Sequence, residues 1–183
     1  MSDSPRLSTR REYTGRVVNL DVDTVRFPDG SVGDLEMIRH SGASAVVPFL
    51  SDPKGADPQL LLIRQYRYAA ESYLYEIPAG RLSPGEEPEV CARRELQEET
   101  GCTAARVEPL FTVFTTPGFT DERIHLFMAW ELTRGQSQLE RDEFIDVEVL
   151  PLSRALEMIE RGEISDAKTA VAILYTAGFR LSR

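Results

Sequence analysis

The sequence predicts an α+β domain in which helices cover a mixed sheet, and three observations carry that expectation. Extended segments rich in β-branched and aromatic residues outnumber helical ones. One helical stretch interrupts the strands midway, and two more close the chain. No repeat or low-complexity linker divides the 183 residues, a length suited to one compact domain with a small extension. Many strands, one helix, more strands and two helices is the order of a layered α+β or mixed-sheet fold.

The elements follow in order. The polar start is expected to fray to about Arg10. Residues 12–27 read as extended, with Val17, Val18, Leu20, Val22 and Val25 as β-formers, and Pro28, Asp29 and Gly30 give a turn signal. A second run at 34–40 should return as a hairpin. This unit, residues 1–41, is too small to bury its own core and must pack on the remainder, residues 42–183, or on another subunit. Strands are predicted at 43–50, 59–66 and 73–77. Pro88 near a helix start and Gly101 just past its end bracket a helix over 88–100. Further strands are expected at 106–114, 123–131 and 144–150. Helices at 152–161 and 166–177 finish the chain, the latter with Asp166 or Ser165 as its cap.

Composition excludes several functions. Thirty acids against 21 bases give a net charge of −9, which repels phosphate backbones and argues against a nucleic-acid partner. A phosphate-ester ligand would then need a divalent cation between it and the protein. The longest apolar stretches, such as 170–175, fall far short of the ~20 residues that span a bilayer, and residues 1–12 have no signal-peptide core. A cytoplasmic protein without a membrane partner is expected. Two cysteines and two histidines, His40 and His125, make no zinc pattern. Only Lys54 and Lys168 are lysines among the 21 bases, a bias open to two readings: bidentate phosphate recognition or coding bias.

The helix at 88–100 carries the chemistry. Glu95 and Glu99 stand at i and i+4, with Glu98 at i+3, so their side chains share one face about 5–6 Å apart. Like charges at those spacings oppose the helix unless something relieves them. Hard cations would, since Mg²⁺ takes oxygen ligands and keeps water and substrate phosphate in its shell; the alternative is a solvated face of surface glutamates. Gly80, Glu86, Arg94 and Gly101 decide between them, because with the three glutamates they complete G-x5-E-x7-R-E-U-x-E-E-x-G-U, with Leu96 and Cys102 in the apolar U places. Seven fixed identities at ordinary usage match by chance on the order of 10⁻⁸ per starting position. Cys91, one turn before Glu95, reads as a packing residue, since nothing marks it as a low-pKa thiol.

This stretch resembles the signature of the Nudix hydrolases at every fixed position. The resemblance implies an α/β/α sandwich with a mixed sheet, a small N-terminal antiparallel β unit beside it, and Mg²⁺-dependent hydrolysis of a nucleoside diphosphate linked to another group, Mn²⁺ being able to substitute. It implies that Glu95 and Glu99 are the principal metal ligands, with Glu98 and the Ala79 carbonyl as further ones and Glu98 also catalytic. By the same resemblance Gly80, Glu86, Arg94 and Gly101 are architectural, an ion pair between Glu86 and Arg94 holding the loop 81–87 against the helix.

The likeness extends through Arg64-Gln65-Tyr66-Arg67, Glu76-Ile77-Pro78-Ala79-Gly80 and Asp166-Ala167-Lys168-Thr169. Pro117, sixteen residues beyond Gly101, is similar to a marker of the ADP-ribose pyrophosphatase subgroup; by itself Pro117-Gly118 would be an ordinary turn. The subgroup implies a homodimer through the N-terminal strands and substrate contacts from Arg67 to phosphate, Glu122 near the ribose end, and the loop at Pro117 and Gly118. Arg67 and Glu122 could instead be ion-pair residues. A water-orienting acid is expected in the loop before a late strand, with Glu143 matching best among Glu140, Asp142 and Glu143; relatives often carry an acid where Arg141 stands. The implied activity is cleavage of ADP-ribose to AMP and ribose 5-phosphate. GDP-mannose or ADP-glucose is the alternative substrate, and a non-catalytic ADP-ribose or NAD-metabolite sensor is a different class, against which the intact glutamate set argues.

Overall fold

The computed structural model describes residues 5–138 and 144–181. The chain divides into two compact units, residues up to Gly42 with 114–123, and residues 43–113 with 124 onward.

The first unit is a three-stranded antiparallel sheet of β1 (Arg6–Thr14), β2 (Asn19–Arg26) and β3 (Val32–Arg39) in that order. Residues expected to fray therefore form a strand, because β1 finds a backbone partner along β2, from Arg6 opposite Val25 to Thr14 opposite Asn19. The run at 12–27 is correspondingly two strands, turned where the Gly15 N–H donates to the Val18 carbonyl at 2.9 Å. The covered positions of β2 are not apolar but Asp21 and Asp23. Arg11 and Arg39 bond Asp21; Arg39 and Thr9 bond Asp23. Arg11, then Arg39, hold the Asp21 carboxyl below the usual range. Segment 114–123 joins this unit through the Ile38 N–H, which donates to the Phe119 carbonyl at 2.7 Å.

The second unit holds two sheets. One orders β10 (Ile145–Pro151), β5 (Gln59–Arg67) and β6 (Ser72–Glu76), all antiparallel. The other orders β7 (Ala79–Arg81), β4 (Ala43–Pro48), β9 (Arg123–Arg134) and β8 (Cys102–Phe114). It is mixed, since β4 runs antiparallel to β7 and parallel to β9. Every residue of β4 is buried, the mark of a strand covered on both faces.

Alternation along the strands sorts the core into two layers. Val46, Leu61, Phe127 and Ala129 face Ala92 and Leu96 of α1 (Pro88–Thr100). Their neighbours Val47, Leu60, Leu62, Leu126 and Met128 pack with α2 (Leu152–Glu160) and α3 (Ala167–Tyr175) through Ala155, Met158, Ala172 and Ile173. This α+β arrangement has helices on both faces. The Asp166 side chain caps α3 by accepting from the Thr169 N–H at 3.0 Å, and the chain continues past Tyr175 as a π-helical turn over Thr176–Leu181. Among the described residues no helix is long and apolar enough to cross a membrane.

Leu96 is fully buried where α1 meets the sheet. Leu96→Ala should lower unfolding free energy by about 2–5 kcal/mol. Urea titration checks this, and a loss below about 1 kcal/mol would contradict the packing described.

Candidate active site

The site is built on α1 and the short strand β7. The helix begins at Pro88, whose fixed φ suits the first turn and whose missing N–H costs nothing there. The Ser44 hydroxyl donates to the Pro88 carbonyl at 2.8 Å, tying the helix start to β4. The helix ends at Gly101, at φ +72°, with its N–H on the Gln97 carbonyl. A Cβ there would lie 2.8–2.9 Å from backbone atoms of Gly135, Gln136 and Ser137, so both conformation and space require glycine.

Between these ends the carboxylates turn toward β7. Glu95 and Glu99 are 7% and 3% exposed, which rules out a solvated face for those two. The Ala79 N–H donates to Glu99 Oε2 at 3.0 Å. Gly80 admits Glu95, since a Cβ on it would sit 1.9 Å from Glu95 Oε1. Strand β7 was absent from the strands read in the sequence. Its three residues carry too little pattern, yet it delivers both contacts.

Arg94 organises the anionic face. Its Nε and Nη2 donate to the two oxygens of Glu86 at 2.9 and 3.1 Å. Its Nη1 donates to Glu95 Oε1 at 2.6 Å and to Glu98 Oε2 at 2.8 Å, and its Nη2 reaches the Arg81 carbonyl at 3.2 Å. Arg94, with the Ser83 N–H, holds the Glu86 carboxyl down at about 2. Arg94 itself is raised, chiefly by its bond to Glu86. Burial pushes the Cys91 thiol up to about 11, as for a packing residue rather than a nucleophile.

Of the three glutamates expected to share a cation, Glu95 and Glu98 are bridged by the one Arg94 Nη1, and Glu99 accepts from the Ala79 N–H. Among the described residues no group of three or more His, Cys, Asp or Glu side chains is arranged to hold a metal ion. Glu98, 38% exposed at its side chain, turns to Arg94, which relieves the like-charge repulsion. The donor chemistry still fits a hard divalent cation: the set is all oxygen, and two carboxylates are buried beside the glycine that makes room for one of them.

Arg67, at the end of β5, lies in a fork-to-carboxylate pair with Glu76, Nε to Oε1 at 2.6 Å and Nη2 to Oε2 at 2.8 Å. Glu76 is 2% exposed and is also bonded by Lys168. The sequence carried these two residues only as parts of longer motifs; the rarity of lysine was the one signal that could have singled out Lys168. Glu122, Pro117 and Gly118 belong to the first unit. There Glu122 accepts from the Thr115 hydroxyl at 2.9 Å and stands 3.4 Å from His40 Nδ1, while 116–119 closes as a turn. Glu140, Arg141, Asp142 and Glu143 lie outside the described residues.

The helix bearing these carboxylates, capped by glycine and facing a glycine in the neighbouring strand, belongs to a known class. A family model of the NUDIX domain matches residues 40–171. The chain belongs to the Nudix family and is a Nudix hydrolase. It is 41% identical over 171 residues to the methanol dehydrogenase activator of Bacillus methanolicus, covering 92% of this chain and 90% of that one. It is also 41% identical over 165 residues to the ADP-ribose pyrophosphatase of Bacillus subtilis, covering 89% and 86%. With the GDP-mannose pyrophosphatase of Salmonella paratyphi B it shares 37% over 155 residues, covering 76% and 79%. Among solved structures, an ADP compounds hydrolase superposes with a TM-score of 0.79 at 22% identity, over 94% of this chain and 91% of that one, a likeness of fold.

The Glu86 geometry predicts a pH signature. Its folded value of about 2 lies below the ordinary 4.5, so the stability it supplies is complete above about pH 4.5 and is lost as pH falls toward 2. Glu86→Gln should be less stable than wild type at pH 7, and the difference should shrink across that window. Thermal melts between pH 7 and 2.5 test it; a difference independent of pH would contradict it.

Proposed function

We propose that this Nudix hydrolase cleaves the pyrophosphate of ADP-ribose to AMP and ribose 5-phosphate. The observation that carries the reading is the pair of buried carboxylates, Glu95 against Gly80 and Glu99 on the Ala79 N–H, in a chain 41% identical to a relative named for that activity. The residues that would hold Mg²⁺, or Mn²⁺ in its place, are the Ala79 carbonyl, Glu95, Glu98 and Glu99. A bound divalent cation there supplies charge neutralisation for the pyrophosphate and a nucleophilic water at neutral pH.

The chain's own side chains supply the rest. Arg67 spends its Nε edge on Glu76 and retains N–H groups on the other edge of its guanidinium for a phosphate oxygen. Arg94 orients Glu95 and Glu98 through its Nη1. Glu143 takes the role of orienting the attacking water, with Glu140 and Asp142, neighbours in sequence, as the alternatives. The assembly read here is a homodimer formed through the first unit, in keeping with β1, an edge strand exposed along all nine residues.

Glu99→Gln keeps the shape of the side chain and its acceptor for the Ala79 N–H while removing the charge. It should lower kcat by about a hundredfold or more with melting temperature little changed. Turnover near wild type at saturating Mg²⁺ would sink the assignment. The Salmonella relative favours GDP-mannose as the second reading, and a panel of ADP-ribose, GDP-mannose, ADP-glucose and NADH with Mg²⁺ separates them. ADP-ribose should lead in kcat/KM by about tenfold, or ~1.4 kcal/mol of transition-state binding; a lead for another nucleotide sugar overturns the substrate, and binding without cleavage overturns the enzyme in favour of a sensor.

A further inference from the structure

Among the described residues of the second unit, outside the anionic face, a polar chain extends from the Arg67–Glu76 pair to residues with no role in the proposed reaction. It starts at Arg67, passes to Glu76 and then to Lys168 on the first turn of α3. Lys168 Nζ also lies 3.0 Å from Asp166 Oδ2. The same Asp166 oxygen accepts from the Thr169 hydroxyl at 2.6 Å, and that hydroxyl oxygen accepts from the Ile77 N–H at 2.9 Å. The network thus closes on the residue next to Glu76.

Cost makes this arrangement informative. A carboxylate 2% exposed is expensive to keep ionised unless cations satisfy it. One guanidinium in a side-on fork would suffice for a structural pair. A second cation on the same carboxylate, from one of only two lysines in the chain, bonds the Oε2 that Arg67 Nη2 also uses, so the carboxylate is held twice while Arg67 remains 41% exposed at its side chain. The exposed end of the chain is an arginine whose rotation is stopped by a carboxylate that cannot itself rotate.

We propose that Glu76 and Lys168 are positioning residues that pre-set the Arg67 guanidinium for a phosphate group of the substrate. This rests on the reading of Arg67 as a phosphate contact. The cost of ordering a long side chain is then met on folding rather than on binding, which favours affinity for the anion.

A double-mutant cycle on ADP-ribose hydrolysis with Mg²⁺ tests it. Arg67→Ala should raise KM by about thirtyfold, the scale of a charge-assisted bond. Lys168→Met should raise KM by about tenfold with kcat within about twofold, and should add almost nothing in the Arg67→Ala background, because it acts through that side chain. Lys168→Arg, which keeps the cation, should recover most of the loss. Should Lys168→Met prove too unstable to purify, Glu76→Gln enters the same cycle with the same expected non-additivity. Equilibrium binding of AMP without Mg²⁺ should follow the same order. Additive effects, or a normal KM in Lys168→Met when Arg67→Ala is impaired, overturn the proposal and leave the reading of Arg67 intact. A normal KM in Arg67→Ala overturns that reading and the proposal with it.

Discussion

The site depends on a single guanidinium that answers for three carboxylates. Arg94 bonds Glu86, Glu95 and Glu98 at 2.6–3.1 Å, and without it these three carboxylates, two on the helix and one in the loop before it, would lose their shared counter-charge. Removing a partner from a buried pair leaves an uncompensated charge, so the arginine matters less for what it adds than for what its absence would expose. Arginine suits this position because its planar fork serves several acceptors in fixed directions, which the compact ammonium of a lysine does not. Glu99, turned the other way, is answered by a backbone N–H.

The two-faced burial of the β4-centred sheet makes that arrangement rigid. Leu96 and Ala92 lock α1 on one face while Ala155, Ile173 and their neighbours close the other, so the helix has no freedom to roll its carboxylates outward. Strand β7 then comes close enough that a side chain at position 80 would displace the Glu95 carboxylate. Packing fixes the helix, the helix fixes the acids, and the glycine sets how near they come to the strand.

Much of this was legible in the sequence where a local rule acts alone. Pro88, the acids and Gly101 mark both ends of α1 because caps are decided within a turn, and Asp166 marks the start of α3 for the same reason. The Nudix fold followed from seven identities at fixed spacing. Strands that exist only because a partner is present were not legible: β1 is exposed throughout, with only Leu7 and Tyr13 as large hydrophobics, and β7 is three residues long. Nor did spacing along one helix reveal that Arg94 would bridge Glu95 and Glu98 while Glu99 takes a backbone N–H, since that choice is settled by a cation eight residues from its other partner, Glu86. The covered aspartates of β2 invert the usual pattern, so periodicity there pointed to apolar residues and missed the buried ones.

The anionic and cationic parts of the second unit follow one rule with opposite signs. Carboxylates suited to a cation are oriented by an arginine; an arginine suited to an anion is oriented by a carboxylate, itself held by a lysine. In each case a counter-charge holds the group, so its direction is set on folding. Such pre-orientation lets charges act on a reacting centre without reorganising at the moment of reaction, the condition under which electrostatic stabilisation is strongest. The excess negative charge of the chain is concentrated in two stretches, residues 80–101 at net −3 and 140–148 at net −4 of the total −9. Arg67 stands outside both windows, in a network where two cations, Arg67 and Lys168, and two acids, Glu76 and Asp166, balance.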